Sequence, residues 1–133
     1  MREVVKAVIH KDHKYLFQLR DNDASISYPN IWSFFGGGVD EGENYEEALK
    51  RELREELSWC PDKLFYLTRS MNKKVNCNII YYIVQCEAPE HSLVLGEGQA
   101  MGWYTIDEVM GLNNISDEVL IVIKQAYNRI KSL

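Results

Sequence analysis

The sequence predicts an α+β or mixed α/β fold in which helices pack on a sheet. Three observations carry that expectation. Short apolar, β-branched runs recur along the chain, as strands do. Only two segments carry a substantial helical pattern, one interrupting the strand series and one closing the chain. There are no repeats, linkers or low-complexity stretches in 133 residues, so the expectation is one domain over residues 1–133.

Val4 to His10 reads as a first strand, followed by a polar turn through His13 and Lys14 and a second strand from Tyr15 to Leu19. Asp21 to Asn30, with Pro29 inside it, is a loop. Ile31 to Phe35 is a short apolar run ending at Gly36-Gly37-Gly38, which reads as a glycine loop. Asn44 to Leu57 is a helix. Asn44 with Glu47 three residues on forms a capping box, and Leu49, Leu53 and Leu57 recur every fourth residue as a core face. Lys63 to Arg69 and Val75 to Cys86 are strand-like, the latter long enough to be central. Ala100 to Tyr104 is a short strand. Thr105 to Glu108 caps a short helix ending near Gly111, and Ser116 caps an amphipathic helix running to about Lys131.

Composition narrows the function classes. The net charge is −5 and no basic stripe stands out, which argues against duplex nucleic acid or an anionic membrane as partner. Cys60, Cys77 and Cys86 form no C-x-x-C pair and are expected to be reduced, mostly buried thiols. The first residues run straight into a strand pattern without a signal peptide, and the longest apolar stretch, Ile79 to Val84, is far too short to span a bilayer. The expectation is a cytoplasmic protein.

On the helix from Asn44 to Leu57, Glu52, Glu55 and Glu56 fall within roughly one third of the circumference, bordering the leucine stripe. Taken alone this is either a solvated charged face or a cluster of carboxylates. The glycine triplet before it brings backbone carbonyls and room for close approach, and carboxylates with carbonyls are the hard oxygen donors that Mg²⁺ takes.

Gly37-x5-Glu43-x7-Arg51-Glu52-Leu53-x-Glu55-Glu56-x-Ser58-Trp59 resembles the Nudix box, G-x5-E-x7-R-E-U-x-E-E-x-G-U, where U is apolar. Ser58 stands where the family has its last Gly, in what is expected to be a left-handed turn. Phe35 stands where many members have Pro. The order of elements around the box and the late segment Gly98 to Tyr104 also look Nudix-like. The resemblance implies a Nudix-type α/β/α sandwich with a central mixed sheet flanked by helices. It implies a hydrolase of acid anhydrides with Mg²⁺ as cofactor, for which Mn²⁺ can substitute.

By the same resemblance Glu52, Glu55, Glu56 and the Gly37 carbonyl are the metal ligands, and Arg51 orients Glu43 or another box carboxylate. The general base is Glu52 or the later Glu97, which lies between two glycines, and Glu56 is catalytic through the metal. Arg20, Phe34, Gly37 and Gly38 are the substrate-binding candidates. Trp32, Phe34, Tyr81 and Trp103 are core residues or base-stacking platforms, and His10 with His13 is expected to be a solvated turn. No Pro lies between Pro61 and Pro89, which disfavours the ADP-ribose class; the coenzyme A pattern is only faintly echoed by Leu16 to Arg20, and the diadenosine-type Tyr has no match. What remains is a small nucleotide-like substrate, a nucleoside triphosphate or a related diphosphate derivative. The alternatives are a nucleotide-sugar hydrolase or a non-catalytic nucleotide sensor. A homodimer is left open.

Overall fold

The computed structural model describes residues 1–23, 25, 26, 29–96 and 98–132. Strand β1 (Arg2–Lys11) is central. A tight turn through Asp12 and His13, both with positive φ, returns the chain into β2 (Lys14–Leu19). Then come β3 (Trp32–Ser33), β4 (Phe35–Gly38), α1 (Tyr45–Leu57), β5 (Phe65–Asn72), β6 (Cys77–Gln85), a 3-10 turn at Glu90–Ser92, β7 (Ala100–Tyr104), α2 (Ile106–Met110) and α3 (Asp117–Lys131).

The strands form one mixed sheet in the order β3-β2-β1-β6-β5. β1 runs parallel to β6, from Arg2 opposite Cys77 to His10 opposite Gln85. On its other edge β1 is shared. Its first half, Val4 to Ala7, pairs with β4, and its end, Ile9 to Lys11, pairs with β2. Beyond that point β2 diverges to pair with β3 and, on its far edge, with β7.

Side-chain alternation along β1 splits the core into two layers. Val5, Ala7 and Ile9 face α1, with Ile80, Tyr82 and Val84 of β6 beside them. Val4 and Val8 face α2 and α3, with Ile79, Tyr81 and Ile83. This is the α/β/α sandwich expected. Leu49, Leu53 and Leu57 are fully buried under α1. At about 1.5–3 kcal/mol each, these three side chains contribute roughly 5–9 kcal/mol toward holding α1 on the sheet. Leu53→Ala is the change that would loosen α1 most directly, because Leu53 sits between Glu52 and Glu56.

Some expected boundaries shift. The glycine triplet is not a loop: Gly36, Gly37 and Gly38 are strand β4, opposite Lys6, Val5 and Val4. The apolar run before it divides into β3 and β4 on either side of Phe34. β5 starts two residues later than expected and runs on to Asn72, because β6 pairs with it as far as Cys77. Cys77 and Cys86 are buried, whereas Cys60 is exposed. Among the described residues no helix is long and apolar enough to cross a membrane.

Candidate active site

The N-terminal end of α1 is tied to the loop before it. Asn44 caps the helix by accepting from the Glu47 N–H at 2.8 Å, while Glu47 accepts from the Asn44 N–H at 3.0 Å. Just upstream, Glu43 accepts from the Asp40 N–H at 2.8 Å and receives Arg51 in a two-bond fork, Nε at 2.7 Å and Nη2 at 2.9 Å. The same guanidinium donates to the Gly38 carbonyl at 2.9 Å and to Glu52 at 2.9 Å. One planar group thus joins the loop, β4 and the helix, a task the flexible ammonium of lysine cannot perform. Arg51 holds Glu43 well below the ordinary carboxylate value, helped by the Asp40 N–H. With its donors so engaged, Arg51 is placed as a positioning residue.

The three box glutamates lie in three different settings. Glu56 is buried and accepts from the Gly36 N–H at 3.1 Å. Glu52 is held by Arg51, with its carboxylate against Gly37 so closely that a Cβ there would overlap it. Glu55 is mostly exposed, 3.5 Å from Arg51. Gly36 adopts φ +148 beneath the Val5 carbonyl, where a Cβ would collide with backbone. The glycines of β4 therefore serve close approach: Gly36 to β1, Gly37 to Glu52, while Gly38 gives its carbonyl to Arg51.

Among the described residues no three His, Cys, Asp or Glu side chains converge tightly enough to form a ready metal cluster. The donor set nevertheless fits a hard divalent cation, since it consists of carboxylate oxygens and nearby carbonyls with a glycine cradle beside Glu52. Glu52, Glu56 and the Gly37 carbonyl, with Glu55 alongside, are the groups that could hold it.

Ser58 ends α1 in the left-handed region, φ 55 and ψ 35, with its N–H donating to the Arg54 carbonyl. This is the turn the box Gly was expected to ease. A second segment packs on the same helix end. The Gly96 N–H donates to the Glu56 carbonyl at 2.7 Å, and a Cβ on Gly96 would come within 2.9 Å of the Glu55 carbonyl oxygen. Gly98 is pressed equally close to the Leu19 carbonyl. Glu97, the expected later base, lies outside the described residues; its two neighbours are seated against the end of α1 and the end of β2.

A cleft of about 840 Å³ opens where β2 parts from β4, and it joins the helix carboxylates to the α3 side of the sheet. Arg20, Phe34, Gly37 and Gly38, the substrate-binding candidates, line it together with Glu52 and Glu55. Of the four aromatic candidates, Phe34 and Tyr81 line it. Trp103 packs on the α1 layer, and Trp32 meets Tyr104 edge-on at 5.2 Å.

The sequence reading missed two groups in the cleft. Glu118, in the first turn of α3, accepts from Tyr81 at 2.8 Å and from Ser70 at 2.7 Å, and burial pushes the Tyr81 phenol well up. Lys6 of β1 donates to the Phe34 carbonyl at 3.3 Å. Burial pulls its ammonium down from the ordinary lysine value, Glu56 and Glu52 pull it back up, and Arg20 pushes it down again. The available signal for Lys6 was its parity. It shares the inward face of Val4 and Val8, where an apolar residue is expected.

The sequence model of the NUDIX domain matches residues 1–122. The nucleoside triphosphatase NudI of Escherichia coli O139:H28 (strain E24377A / ETEC) is 32% identical, with 72% of this chain and 75% of that one covered. Among solved structures, the E. coli ORF135 protein superposes with a TM-score of 0.75 at 26% identity, covering 96% of this chain and 89% of that chain. The MutT protein of Methanosarcina mazei Go1 gives 0.80 at 16% identity, covering 98% and 95%, a likeness of fold.

Proposed function

The chain belongs to the NUDIX domain family, and on that premise we propose that it is a Mg²⁺-dependent pyrophosphohydrolase that cleaves the diphosphate linkage of a nucleoside triphosphate. The family uses divalent metal ions, and the relative at 32% identity is a nucleoside triphosphatase. The observation that carries the proposal is the seating of two box carboxylates. Glu52 is fixed by Arg51 and Gly37 and borders a cleft large enough for a nucleotide, and Glu56 is fixed by the N–H of Gly36, itself a residue of that cleft.

When bound, Mg²⁺ supplies the positive charge that offsets the diphosphate and acidifies the attacking water. The chain's own residues position the rest. Glu52, Glu56 and the Gly37 carbonyl would hold the cation, with Glu55 beside them. Arg51 keeps Glu52 in place through a charge-assisted bond. Phe34 and Tyr81, both buried, back the apolar wall of the cleft. Arg20 lines the same cleft, where its charge suits a phosphate oxygen. The base that takes the proton from water is Glu97 or Glu52. Gly96, whose N–H donates to the Glu56 carbonyl at the end of α1, supports the first choice.

The test is hydrolysis across nucleoside triphosphates, nucleotide sugars and dinucleotides, with and without Mg²⁺, beside Glu56→Gln. The amide oxygen of Gln still accepts the Gly36 N–H, so the fold should hold. Turnover of triphosphates that vanishes without Mg²⁺ and falls at least roughly 100-fold in the variant is the expected result. Tight binding of a nucleotide with no turnover of any substrate would sink the proposal in favour of a sensor.

A further inference from the structure

Strand β5 forms one border of the sheet, and its outer edge has no partner strand among the described residues. Such an edge offers unpaired N–H and C=O groups, which natural proteins guard with charges, prolines or very short strands. Phe65–Asn72 lacks these guards: it is eight residues long, has no proline and carries one charge, Arg69. Phe65, Tyr66 and Met71 are each about half exposed on it. The strand also holds a bulge, where its register against β6 shifts between Tyr66 and Thr68. A bulge can blunt an edge, but it also reverses the alternation of faces beyond it. Tyr66, opposite Tyr82, and Arg69, opposite Ile80, therefore share the α1 face although three residues apart. Phe65, opposite Ile83, and Ser70, opposite Ile79, likewise share the α3 face.

We propose that the β5 edge pairs antiparallel with the same edge of a second copy of this chain, about a two-fold axis passing between Leu67 and Thr68. In an unbroken strand Tyr66 and Arg69 would point to opposite faces and could not stand opposite each other across such an axis. The bulge removes that conflict. Leu67 and Thr68, at the axis, both lie on the α3 side. Tyr66 faces the partner's Arg69, a cation beside an aromatic ring. Phe65 faces the partner's Ser70. Met71, on the α1 face, meets the partner's Leu64, which packs on the α1 layer. Just beyond the strand ends Asp62 faces the partner's Lys73, and the axis makes this pair twice. The edge is thus complementary to itself in face and charge, which selects a second copy over an unrelated strand. The inference is independent of what the cleft binds.

The experiment is sedimentation equilibrium of the wild type over about 1–500 µM, beside Asp62→Lys, Lys73→Asp and the double swap, at low salt. The expected wild type shows a monomer–dimer equilibrium. Either single reversal sets like charges against each other at both ends of the interface and should weaken the dimer about fivefold or more. The double swap restores opposite charges and should return the affinity to within about twofold of wild type. Both positions are exposed, so the monomer fold should tolerate all three variants. A wild type that stays monomeric throughout overturns the proposal. A dimer that both single reversals leave intact overturns it too, because the contact then lies on another surface. A double swap that dimerises no better than the single variants overturns the register and the proposal with it.

Discussion

Gly37→Ala separates what the site needs from what the fold needs. A Cβ at residue 37 would lie 2.5 Å from Glu52 Oε2 and 2.6 Å from Oε1, where ordinary contact begins at 3.4 Å. The Glu52 carboxylate must therefore retreat by about 0.9 Å, which weakens its bond to Arg51. Arg51 keeps its fork on Glu43 and its bond to the Gly38 carbonyl, so the loop stays tied to the helix. Losing one partly exposed contact is worth on the order of 1 kcal/mol. Replacing glycine where φ is ordinary recovers roughly 0.4–1 kcal/mol through the unfolded chain. The net effect on the melting temperature should stay within about 4 °C. Activity should respond differently: under the proposed function Glu52 binds the metal, and displacing its carboxylate by about 1 Å is expected to lower kcat by roughly 100-fold. The assay is kcat on the preferred nucleotide, with calorimetric melting and Mn²⁺ affinity by electron paramagnetic resonance. Normal kcat with normal melting would show that the position of Glu52 is not used. A melting loss above about 10 °C would show that the contact belongs to the fold.

Three further outcomes follow from the same geometry. Ser58→Gly removes a left-handed strain of roughly 1 kcal/mol, partly offset by the greater freedom of glycine when unfolded, so the melting temperature should rise by about 1–2 °C; a fall would refute the strain. Glu43 is held below its ordinary 4.5, so its contribution is present above that pH and is lost as pH falls through the lowered folded value. The stability gap between wild type and Glu43→Gln should stay constant above about pH 5.5 and shrink as pH falls below 4.5 toward the lowered folded value; a gap that showed no decline on acidification below 4.5 would reject the Arg51 pairing as its cause. Glu97→Gln should lower kcat at least roughly tenfold while the protein melts as before, and unchanged turnover would leave Glu52 as the base.

The helix bearing the glutamates was legible because its signals are local. Asn44 and Glu47 mark its start, the leucine stripe marks its inner face, and a periodicity of 3.6 places Glu56 at the border of the core, where it is buried. Strand β4 was not legible. Phe-Gly-Gly-Gly carries almost none of the side chains that favour strands, and it is extended because β1 supplies its partners and because Val5 and Glu52 leave no room for a Cβ. Lys6 and Glu118 escaped for a related reason. Lys6 breaks the apolar parity shared by Val4 and Val8, but parity alone does not say what the ammonium meets, and a glutamate in a first turn looks like dipole matching. What brings them to the cleft is the convergence of β1, β6 and α3, which lie far apart in the chain. The 3-10 turn at Glu90–Ser92 carries no sequence signal beyond Pro89.

The parallel pairing of β1 with β6 bears on how the protein is made. Arg2 must wait for Cys77 and His10 for Gln85, so β1 is left without its longest neighbour until 75 further residues have been synthesised. Helix α1 can form meanwhile, since its caps are local, but it has no completed sheet to rest on. Such distant partners slow assembly relative to a helical bundle of similar size, because the loop between them must close before the pairing stabilises anything. A nascent chain halted before β6 would display the bare edge of β1 and the three leucines of α1 together, the surface that chaperones and aggregation compete for.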